Sequence, residues 1–401
     1  MPGRVFITGI GIISAIGDNV AETLTSLIIG KSGIGKNTHI ESQYKEIFPV
    51  GEVNKGDHEL AGVLGINDIR EYTRTSLLGM IAAKEALSDA GLTDISKAGT
   101  GLISATSVGG MHRSEMFYKD FLNNHSKGRL MNIIHHECGD STEKIADILG
   151  VKDFVSTVST ACSSSANSIM AGARLIKNGK LQRVIAGGTD SLTLFTINGF
   201  NSLMILDKNK CRPFDDTRSG LNLGEGAGFV VLESEEMVIK SGKKPYCELK
   251  GYGNACDAYH QTASSPEGNG AYLAMKKALD MSSLKESDID YINVHGTGTQ
   301  NNDLSEGKAM LRLFNGKVPP FSSTKAYTGH TLGASGGIEA VISVLAMKEN
   351  ILFPGLHFTT PIKELGMIPV ITVQTNCKVN HVLSNSFGFG GNNSSLIFSQ
   401  S

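Results

Sequence analysis

The sequence predicts an α/β protein in which helices cover the faces of its sheets. Short runs rich in β-branched residues alternate with longer segments of helical periodicity from residue 5 to residue 399. Forty-seven glycines without a collagen-like period supply the turns that this alternation needs. Because no stretch has the composition of a linker, we expect the 401 residues to pack as one unit.

The first part of the chain contains four predicted strands and two predicted helices. Runs of Val, Ile and Thr predict strands over residues 5–12, 99–107, 155–161 and 183–191. Helical periodicity covers 75–91 and 163–179, and each of these segments ends on a glycine that can stop a helix. In the first helix, Leu77, Leu78 and Ile81 lie outside the main apolar face, so burial on more than one side is expected.

The second part repeats the same pattern. Strands are predicted over residues 228–234, 247–253, 291–296 and 395–399. Helices are predicted over 269–284 and 336–350.

Charge and composition argue against several classes of function. Lys plus Arg (37) nearly balance Asp plus Glu (39), which predicts neither a nucleic-acid partner nor an anionic membrane. Neither a signal peptide nor a run of about eighteen apolar residues is present, so a cytoplasmic location is expected. The cysteines lack a CxxC pair and are expected to be free thiols: Cys138, Cys162, Cys211, Cys247, Cys256 and Cys377.

Three apparent motifs fail on inspection. In GIGIIS, Ser14 stands where a dinucleotide-binding loop needs its third glycine, so Gly9 and Gly11 are expected to shape a strand turn. Lys325 lacks the preceding glycines of a phosphate-binding loop. His135 and His136 lack zinc-site spacing and are expected at a surface or interface, so no metal is predicted.

Cys162 lies between a predicted strand and a predicted helix. At a helix N-terminus the macrodipole favours the thiolate, and the backbone N–H of the cysteine itself can face a developing oxyanion. A buried structural cysteine in a strand-to-helix turn explains this segment equally well.

Two histidines in glycine-rich turns favour the catalytic interpretation. His295 ends the strand YINV and opens HGTGT, while His330 lies in STKAYTGHTLGASGG. With Lys325 and the segment NSFGFGGNN (385–393), these loops are expected to converge on one cavity.

Taken in order, these segments resemble the β-ketoacyl-acyl-carrier-protein synthases, condensing enzymes of the thiolase-like fold. The resemblance spans the chain through VFITGIGIISAIG, STACSSS, RPFDDTRSGLNLGEGAGFVVLE, VHGTGT, SSTKAYTGHTLGASGGIEA and NSFGFGG. It implies a five-layer αβαβα fold of two similar halves, residues 1–245 and 246–401, and a homodimer. The synthase II type and bacterial polyketide or polyene synthases are most similar in character.

The resemblance also implies a mechanism without metal or redox cofactor. Cys162 takes an acyl group from phosphopantetheine on acyl carrier protein, with the N–H groups of Cys162 and Phe389 as the oxyanion hole. Malonyl thioester then loses carbon dioxide, and neutral His295 and His330 stabilise the enolate that attacks the acyl group. Lys325 holds the electrostatics around His330 and pairs with Glu339.

Further residues match binding and supporting positions of the family. Thr297, Thr299 and Thr262 match hydroxyls that hold the phosphopantetheine arm, although simple turn capping explains such threonines too. Phe387 matches the gate of the acyl tunnel and Val108 its lining. Asp303 and Glu306 keep the family's Asp-x-x-Glu spacing.

Some positions depart from the synthase II pattern and leave the substrate open. Serines follow Cys162, as in polyketide synthase domains, and Met204 stands near a position where an arginine often engages carrier protein. Elongation in fatty acid biosynthesis and elongation in a specialised polyketide or aryl polyene pathway are therefore both considered.

The retained cysteine, histidines and lysine argue against a non-catalytic chain-length factor, although a heterodimer with such a factor is open. Two histidines, rather than a histidine and a second cysteine, argue against a thiolase. A Cys-His hydrolase or a binding scaffold would leave the converging loops unexplained.

Overall fold

Most strands of the protein belong to one extended sheet that runs through both parts of the chain. The computed structural model describes residues 3–93, 95 and 99–401. Its strands are β1 (Val5–Ser14), β2 (Ile34–Gly35), β3 (Val50–Gly51), β4 (Thr100–Ala105), β5 (Phe154–Val158), β6 (Arg183–Asp190), β7 (Gly226–Ser234), β8 (Cys247–Cys256), β9 (Tyr291–Asn293), β10 (Phe321–Ser322), β11 (His381–Phe387) and β12 (Asn392–Ser399). Its α-helices are α1 (Val20–Ile28), α2 (Asp57–Leu64), α3 (Arg74–Asp89), α4 (Met111–Asn123), α5 (Cys138–Leu149), α6 (Ser164–Lys177), α7 (Leu194–Ser202), α8 (Glu235–Ser241), α9 (Asn269–Ser282), α10 (Gln300–Leu313), α11 (Lys325–Thr328) and α12 (Ser335–Glu349).

The extended sheet consists of two five-stranded sets with the same topology. The strand order from one edge to the other is β10-β9-β11-β12-β8-β1-β7-β6-β4-β5. Counted outward from the centre, each set has two antiparallel pairings followed by two parallel ones. Among the described residues, the two sets are joined in the sheet by the pairing of β1 with β8, at Phe6–Glu248 and Ile7–Cys247. The prediction of two similar halves is confirmed; its division at residues 245 and 246 stays a prediction.

Helices cover both faces of each set and produce five layers. On the outside of the first set, α3 packs against β1, β6 and β7. Between the sets, α6 and α12 pack against each other and against strands of both. On the far side, α9 packs against β8 and β12, and α10 packs on α9. The largest apolar cluster includes residues from both sets and the two central helices, so the halves share one core. The predicted αβαβα arrangement is confirmed.

The glycines of GIGIIS serve helix packing rather than a turn. Gly9 and Gly11 lie inside β1, where a Cβ atom would come within 2.3 Å of the Ala86 carbonyl oxygen and 2.1 Å of that of Ala82. Both carbonyls belong to α3, which can approach the strand only because these side chains are absent. The predicted helix itself is confirmed, and Leu77, Leu78 and Ile81 are buried as expected.

Two expectations, on the segment 385–393 and on His135, require correction. The segment 385–393, expected as one loop, contains the end of β11 and the start of β12, and only 388–391 form the turn between them. His135 is buried against Asp140, with 2.9 Å between Nδ1 and Oδ1, whereas His136 is exposed as expected. All six cysteines are free thiols, as predicted. Within the described ranges, no helix has the length and apolar character needed to cross a membrane.

Candidate active site

The sequence-predicted loops converge on one cavity of about 400 Å³ between the two halves. Cys162 reaches it from the turn after β5, and His295 from the turn after β9. His330 follows α11, and Phe387 and Phe389 lie in and after β11. The prediction that these loops meet is confirmed.

The turn that carries Cys162 is tightly held and strained. Ala161 has φ +53°, a left-handed conformation that costs a non-glycine residue free energy. Ser164 secures this turn because its Oγ accepts the Thr160 N–H at 2.8 Å and donates to the Ala161 carbonyl at 2.5 Å. The turn therefore places the sulfur of Cys162 at the base of the cavity, where the residue is 5% exposed.

Burial is the largest influence on the pKa of Cys162. Loss of solvent raises the pKa of the thiol to about 11, although the positive charge of Lys325 and a hydrogen bond from the Phe389 N–H act in the opposite direction. The helix N-terminus was expected to favour the thiolate, whereas burial acts in the opposite direction. The side chain holds its proton at neutral pH and must lose it as the sulfur reacts.

The two histidines are neutral and carry their ring proton on Nε2. Burial, and next the charge of Lys325, lower both imidazole pKa values well below the usual range. His330 Nδ1 accepts the Leu332 N–H at 3.2 Å, and His295 Nδ1 faces the Lys325 ammonium at 3.3 Å. Because Nδ1 is an acceptor in both rings, Nε2–H is the donor that each can offer to a molecule in the cavity. The rings stand nearly perpendicular, with their centroids 5.4 Å apart.

A buried ion pair lies behind the histidines. The Nζ atom of Lys325 is 2.5 Å from Glu339 Oε1, and both side chains are only 2% exposed. The expected pairing of Lys325 with Glu339 is confirmed. The lysine also donates to the His295 carbonyl at 2.5 Å, while its charge lowers the pKa of His330, in line with the expected electrostatic role.

Two buried carboxylates of α10 hold the HGTGT turn by its backbone. Glu306 accepts the N–H groups of His295 at 2.9 Å and of Gly296 at 2.8 Å. Asp303 accepts the Thr297 N–H at 2.9 Å. Burial raises the pKa of both carboxyl groups, that of Glu306 to about 7. The Asp-x-x-Glu spacing thus places two acceptors one helical turn apart beneath the loop.

Hydroxyl and aromatic side chains line the approach to the cysteine. Thr262, Thr297 and Thr299 all line the cavity, and the hydroxyls of the last two are 2.9 Å apart. The ring of Phe387 lies 5.8 Å from that of His295, while Phe389 stacks on Phe200 at 5.6 Å.

One residue predicted for the site lies outside the cavity, and two residues that were not predicted belong to the site. Val108 is buried in a neighbouring cluster with Leu192 and Leu332, not among the described residues that line the cavity, so its tunnel role stays a prediction. Sequence reasoning missed Ser335, whose Oγ lies 3.0 Å from His330 Nδ1, and Phe200. The five-residue spacing of His330 and Ser335 around the start of α12 was a usable signal; nothing local indicated Phe200. Across the described ranges, no cluster of three or more His, Cys, Asp or Glu side chains could hold a metal.

A double α/β fold whose halves enclose a cysteine, two histidines and a lysine defines the thiolase-like condensing enzymes. Models of the beta-ketoacyl synthase N-terminal and C-terminal domains match residues 3–237 and 246–359. The chain belongs to the β-ketoacyl synthase family, whose members are condensing enzymes of the acyltransferase type.

Named relatives and solved structures match over nearly the whole chain. The chain is 35% identical over 409 residues to 3-oxoacyl-[acyl-carrier-protein] synthase 2 of Staphylococcus aureus strain N315, with 98% of each covered. It is 34% identical over 407 residues to the protein of the same name in Synechocystis sp., with 98% of this chain and 97% of the relative covered. A structure of the ishigamide ketosynthase/chain length factor superposes with TM-score 0.95 at 28% identity and 100% coverage of both chains.

Proposed function

We propose that this protein catalyses the decarboxylative Claisen condensation of acyl-ACP with malonyl-ACP to 3-oxoacyl-ACP, where ACP is acyl carrier protein, in fatty acid biosynthesis. The observation that carries the proposal is one cavity that brings a buried thiol together with two neutral Nε2–H imidazoles. The names of the Staphylococcus aureus and Synechocystis relatives support the choice of acyl-ACP substrates.

In the first half-reaction, the Cys162 sulfur attacks the carbonyl of the acyl thioester. The backbone N–H groups of Cys162 and Phe389 stabilise the oxyanion, which is supported by the Phe389 N–H hydrogen bond to the sulfur. As the tetrahedral intermediate collapses, the carrier thiolate leaves and receives the proton that Cys162 gives up. The acyl group is then a thioester on Cys162, and the difficult condensation has become two easier steps.

In the second half-reaction, malonyl-ACP occupies the cavity and its terminal C–C bond breaks to release carbon dioxide. The electron pair forms an enolate whose oxygen accepts Nε2–H bonds from His295 and His330. Because burial keeps both imidazoles neutral, they donate without adding a second positive charge beside Lys325. The enolate carbon attacks the acyl carbonyl, the bond to sulfur breaks, and Cys162 leaves as a thiolate. This thiolate takes a proton from solvent, because the proton that Cys162 gave up in the first half-reaction departed with the thiol of the first carrier.

The carrier arm enters past the threonines at the mouth of the cavity. Thr262, Thr297 and Thr299 offer hydroxyls to the amides of phosphopantetheine, and Phe387 gates the way to an acyl tunnel that includes Val108. Asp303, Glu306 and Glu339 act indirectly by holding the loops and Lys325 in place. No metal or redox cofactor takes part.

The partners are acyl carrier protein and a second copy of this chain. Strand β5 lies at the outer edge of the sheet, where Phe154 and Val155 are exposed and the backbone of the strand can pair with the same strand of another copy. Such a homodimer acts in the cytoplasm, with neither a membrane nor a nucleic acid as partner.

A specialised pathway is the second candidate. The fit to the ishigamide ketosynthase/chain length factor supports elongation of a polyketide or polyene chain, with a chain-length factor in place of the second copy. A role as the chain-length factor itself is less well supported because Cys162 and both histidines are present and assembled.

Mass spectrometry of the intact protein tests the proposal and separates the pathways. The protein is exposed briefly to ACP thioesters of short saturated, long saturated and aryl polyene acids. We expect an acyl increment on Cys162, no increment in Cys162→Ala, and an undiminished increment in Cys256→Ala, whose thiol is exposed on β8. Preference for saturated chains supports fatty acid synthesis and preference for polyene chains the specialised pathway. The absence of any adduct, alone and with a candidate partner subunit, would refute the transfer step.

A further inference from the structure

Three asparagine side chains from both halves of the protein meet beside the Cys162 turn. Asn167 lies on α6, Asn254 on β8 and Asn392 at the start of β12. Asn392 Oδ1 accepts from the Nδ2 atoms of Asn167 at 3.0 Å and Asn254 at 2.8 Å. Asn254 also donates to Ser394 Oγ at 2.9 Å, and Ser394 donates to Asn167 Oδ1 at 2.7 Å. These bonds form a closed ring of four side chains, called the asparagine ring below.

The Nδ2 groups of Asn167 and Asn254 and the hydroxyl of Ser394 all have acceptors. The second Nδ2 proton of Asn167 goes to Thr160 Oγ1 at 2.9 Å, outside the ring. The donors and acceptors therefore fix the orientation of the Asn167 and Asn254 amides and leave Oδ1 of Asn392 as the common acceptor. A ring in which each bond orients the next is expected to hold its members more rigidly than the same bonds would separately.

The ring connects the two backbone segments that face each other across the sulfur. On one side, Thr160 lies two residues before Cys162. On the other, the Asn392 carbonyl accepts the Gly388 N–H at 2.8 Å and so closes the turn that contains Phe389. A Cβ atom on Gly388 would lie 2.9 Å from the Thr160 carbonyl oxygen and 3.2 Å from the Cys162 nitrogen, so the two segments are in direct contact.

The segment on the cysteine side contains backbone that needs support from its surroundings. Ala161 has φ +53° on the cysteine side, and Gly390 and Gly391 have φ +77° and +78° on the other. Left-handed backbone at a non-glycine residue persists only where its surroundings determine it. The asparagine ring is bonded to both segments and supplies such a constraint.

We propose that Asn167, Asn254 and Asn392 are positioning residues that hold the Phe389 N–H against the sulfur of Cys162. The inference rests on the proposed function, because this N–H is the oxyanion donor of the acyl-transfer step. The ring side chains do not line the cavity among the described residues, so they act through the backbone that they hold.

The first test measures acyl transfer to Cys162. Asn392→Ala removes the common acceptor, and a displaced oxyanion donor is expected to slow single-turnover acylation by about ten- to a hundredfold. Asn254→Ala, which contacts neither Cys162 nor Phe389, is expected to slow the same step. The control is Asn178→Ala, which removes an exposed amide at the C-cap of α6 that donates to the Arg174 carbonyl. Wild-type acylation rates in both ring variants would overturn the proposal.

The second test uses the pH dependence of Cys162 alkylation by iodoacetamide, with Cys162→Ala as the background for the other thiols. The Phe389 N–H lowers the pKa of Cys162, so its displacement is expected to shift the alkylation profile to higher pH. A general loss of folding would instead expose the thiol and shift the profile to lower pH. A profile unchanged in Asn392→Ala would overturn the proposal.

A double variant tests whether the residues act as one unit. If Asn167 and Asn392 act through one ring, Asn167→Ala/Asn392→Ala slows acylation no more than the slower single variant. Losses that multiply would show separate roles and overturn the shared-ring inference. The iodoacetamide measurement of the second test needs no carrier protein. It therefore tests the asparagine ring even if the proposed acyl-ACP chemistry fails.

Discussion

Replacing Lys325 with methionine leaves the Glu339 carboxylate buried without its ion-pair partner. The two side chains are 2.5 Å apart and each is only 2% exposed, so solvent cannot replace the lost ammonium group. Removing one member of a buried pair typically costs about 3–5 kcal/mol of unfolding free energy. The Lys325 bond to the His295 carbonyl, also 2.5 Å long, is lost at the same time.

The size of the effect should depend on pH. Burial already raises the pKa of Glu339, and loss of Lys325 removes the main group that lowers it. A carboxyl group whose pKa is higher in the folded than in the unfolded protein stabilises the fold at low pH. This stabilisation is lost as the pH rises through the folded pKa. The stability deficit of Lys325→Met should therefore be largest at pH 8 and shrink as the pH falls towards 5.

Urea unfolding between pH 5 and pH 8 measures both the deficit and its slope. Lys308→Met is the matched control, because Lys308 forms a 2.7 Å ion pair with Glu267 at an exposed position. Exposed pairs contribute about 0–1 kcal/mol, so this control should change little at any pH. A Lys325→Met deficit below 1 kcal/mol, or one that does not vary with pH, would refute the reasoning.

Other residues give predictions of different kinds. His295→Ala should lose malonyl decarboxylation while Cys162 still accepts an acyl group, measured as carbon dioxide release and acyl mass increment; an unacylated variant would contradict this division of roles. Glu306→Gln places an amide N–H₂ against a backbone N–H of the HGTGT turn, which should cost about 1–3 kcal/mol in urea unfolding at pH 8, and a neutral result would show that the turn needs no anion. Burial lowers the pKa of His112 to about 4 from 6.5, so wild-type stability should fall by up to about 3 kcal/mol between pH 7 and pH 4. His112→Asn should reduce that fall, and an equal fall in both proteins would exclude His112 as its source.

The secondary structure that the sequence predicted depends on local patterns. The predicted strands and helices each overlap an observed element, because β-branched runs and helical apolar faces act over a few residues. Strand β11 was missed, since its residues Asn385 and Ser386 are polar and are buried only by their place in the sheet. The strand role of Gly9 and Gly11 was missed for a similar reason, because it depends on how closely α3 approaches β1.

The chemistry of the site was likewise predicted in part from the sequence and decided in part by the tertiary structure. The residue types of Cys162, His295, His330 and Lys325, and their order in glycine-rich turns, were sufficient to predict a shared cavity. The sequence could not supply the ionisation of Cys162, because a helix N-terminus favours the thiolate while burial, which only the packed structure determines, favours the thiol. The sequence also predicted that Lys325 acts electrostatically on His330, which the structure supports, but it did not predict the contact of the lysine with His295.

By itself, then, the sequence determined the α/β class, the positions of eight strands and four α-helices, and residues that assemble around one cavity. The tertiary structure alone decided which nitrogen of each histidine is free to donate, which charges are buried together, and that Asn167, Asn254 and Asn392 form one ring. The physical reason is that residue type and local spacing fix propensity and chemical capability. Hydrogen-bond partners and desolvation, by contrast, come from distant segments of the chain, as with Ser163 and Asn392, which are 229 positions apart.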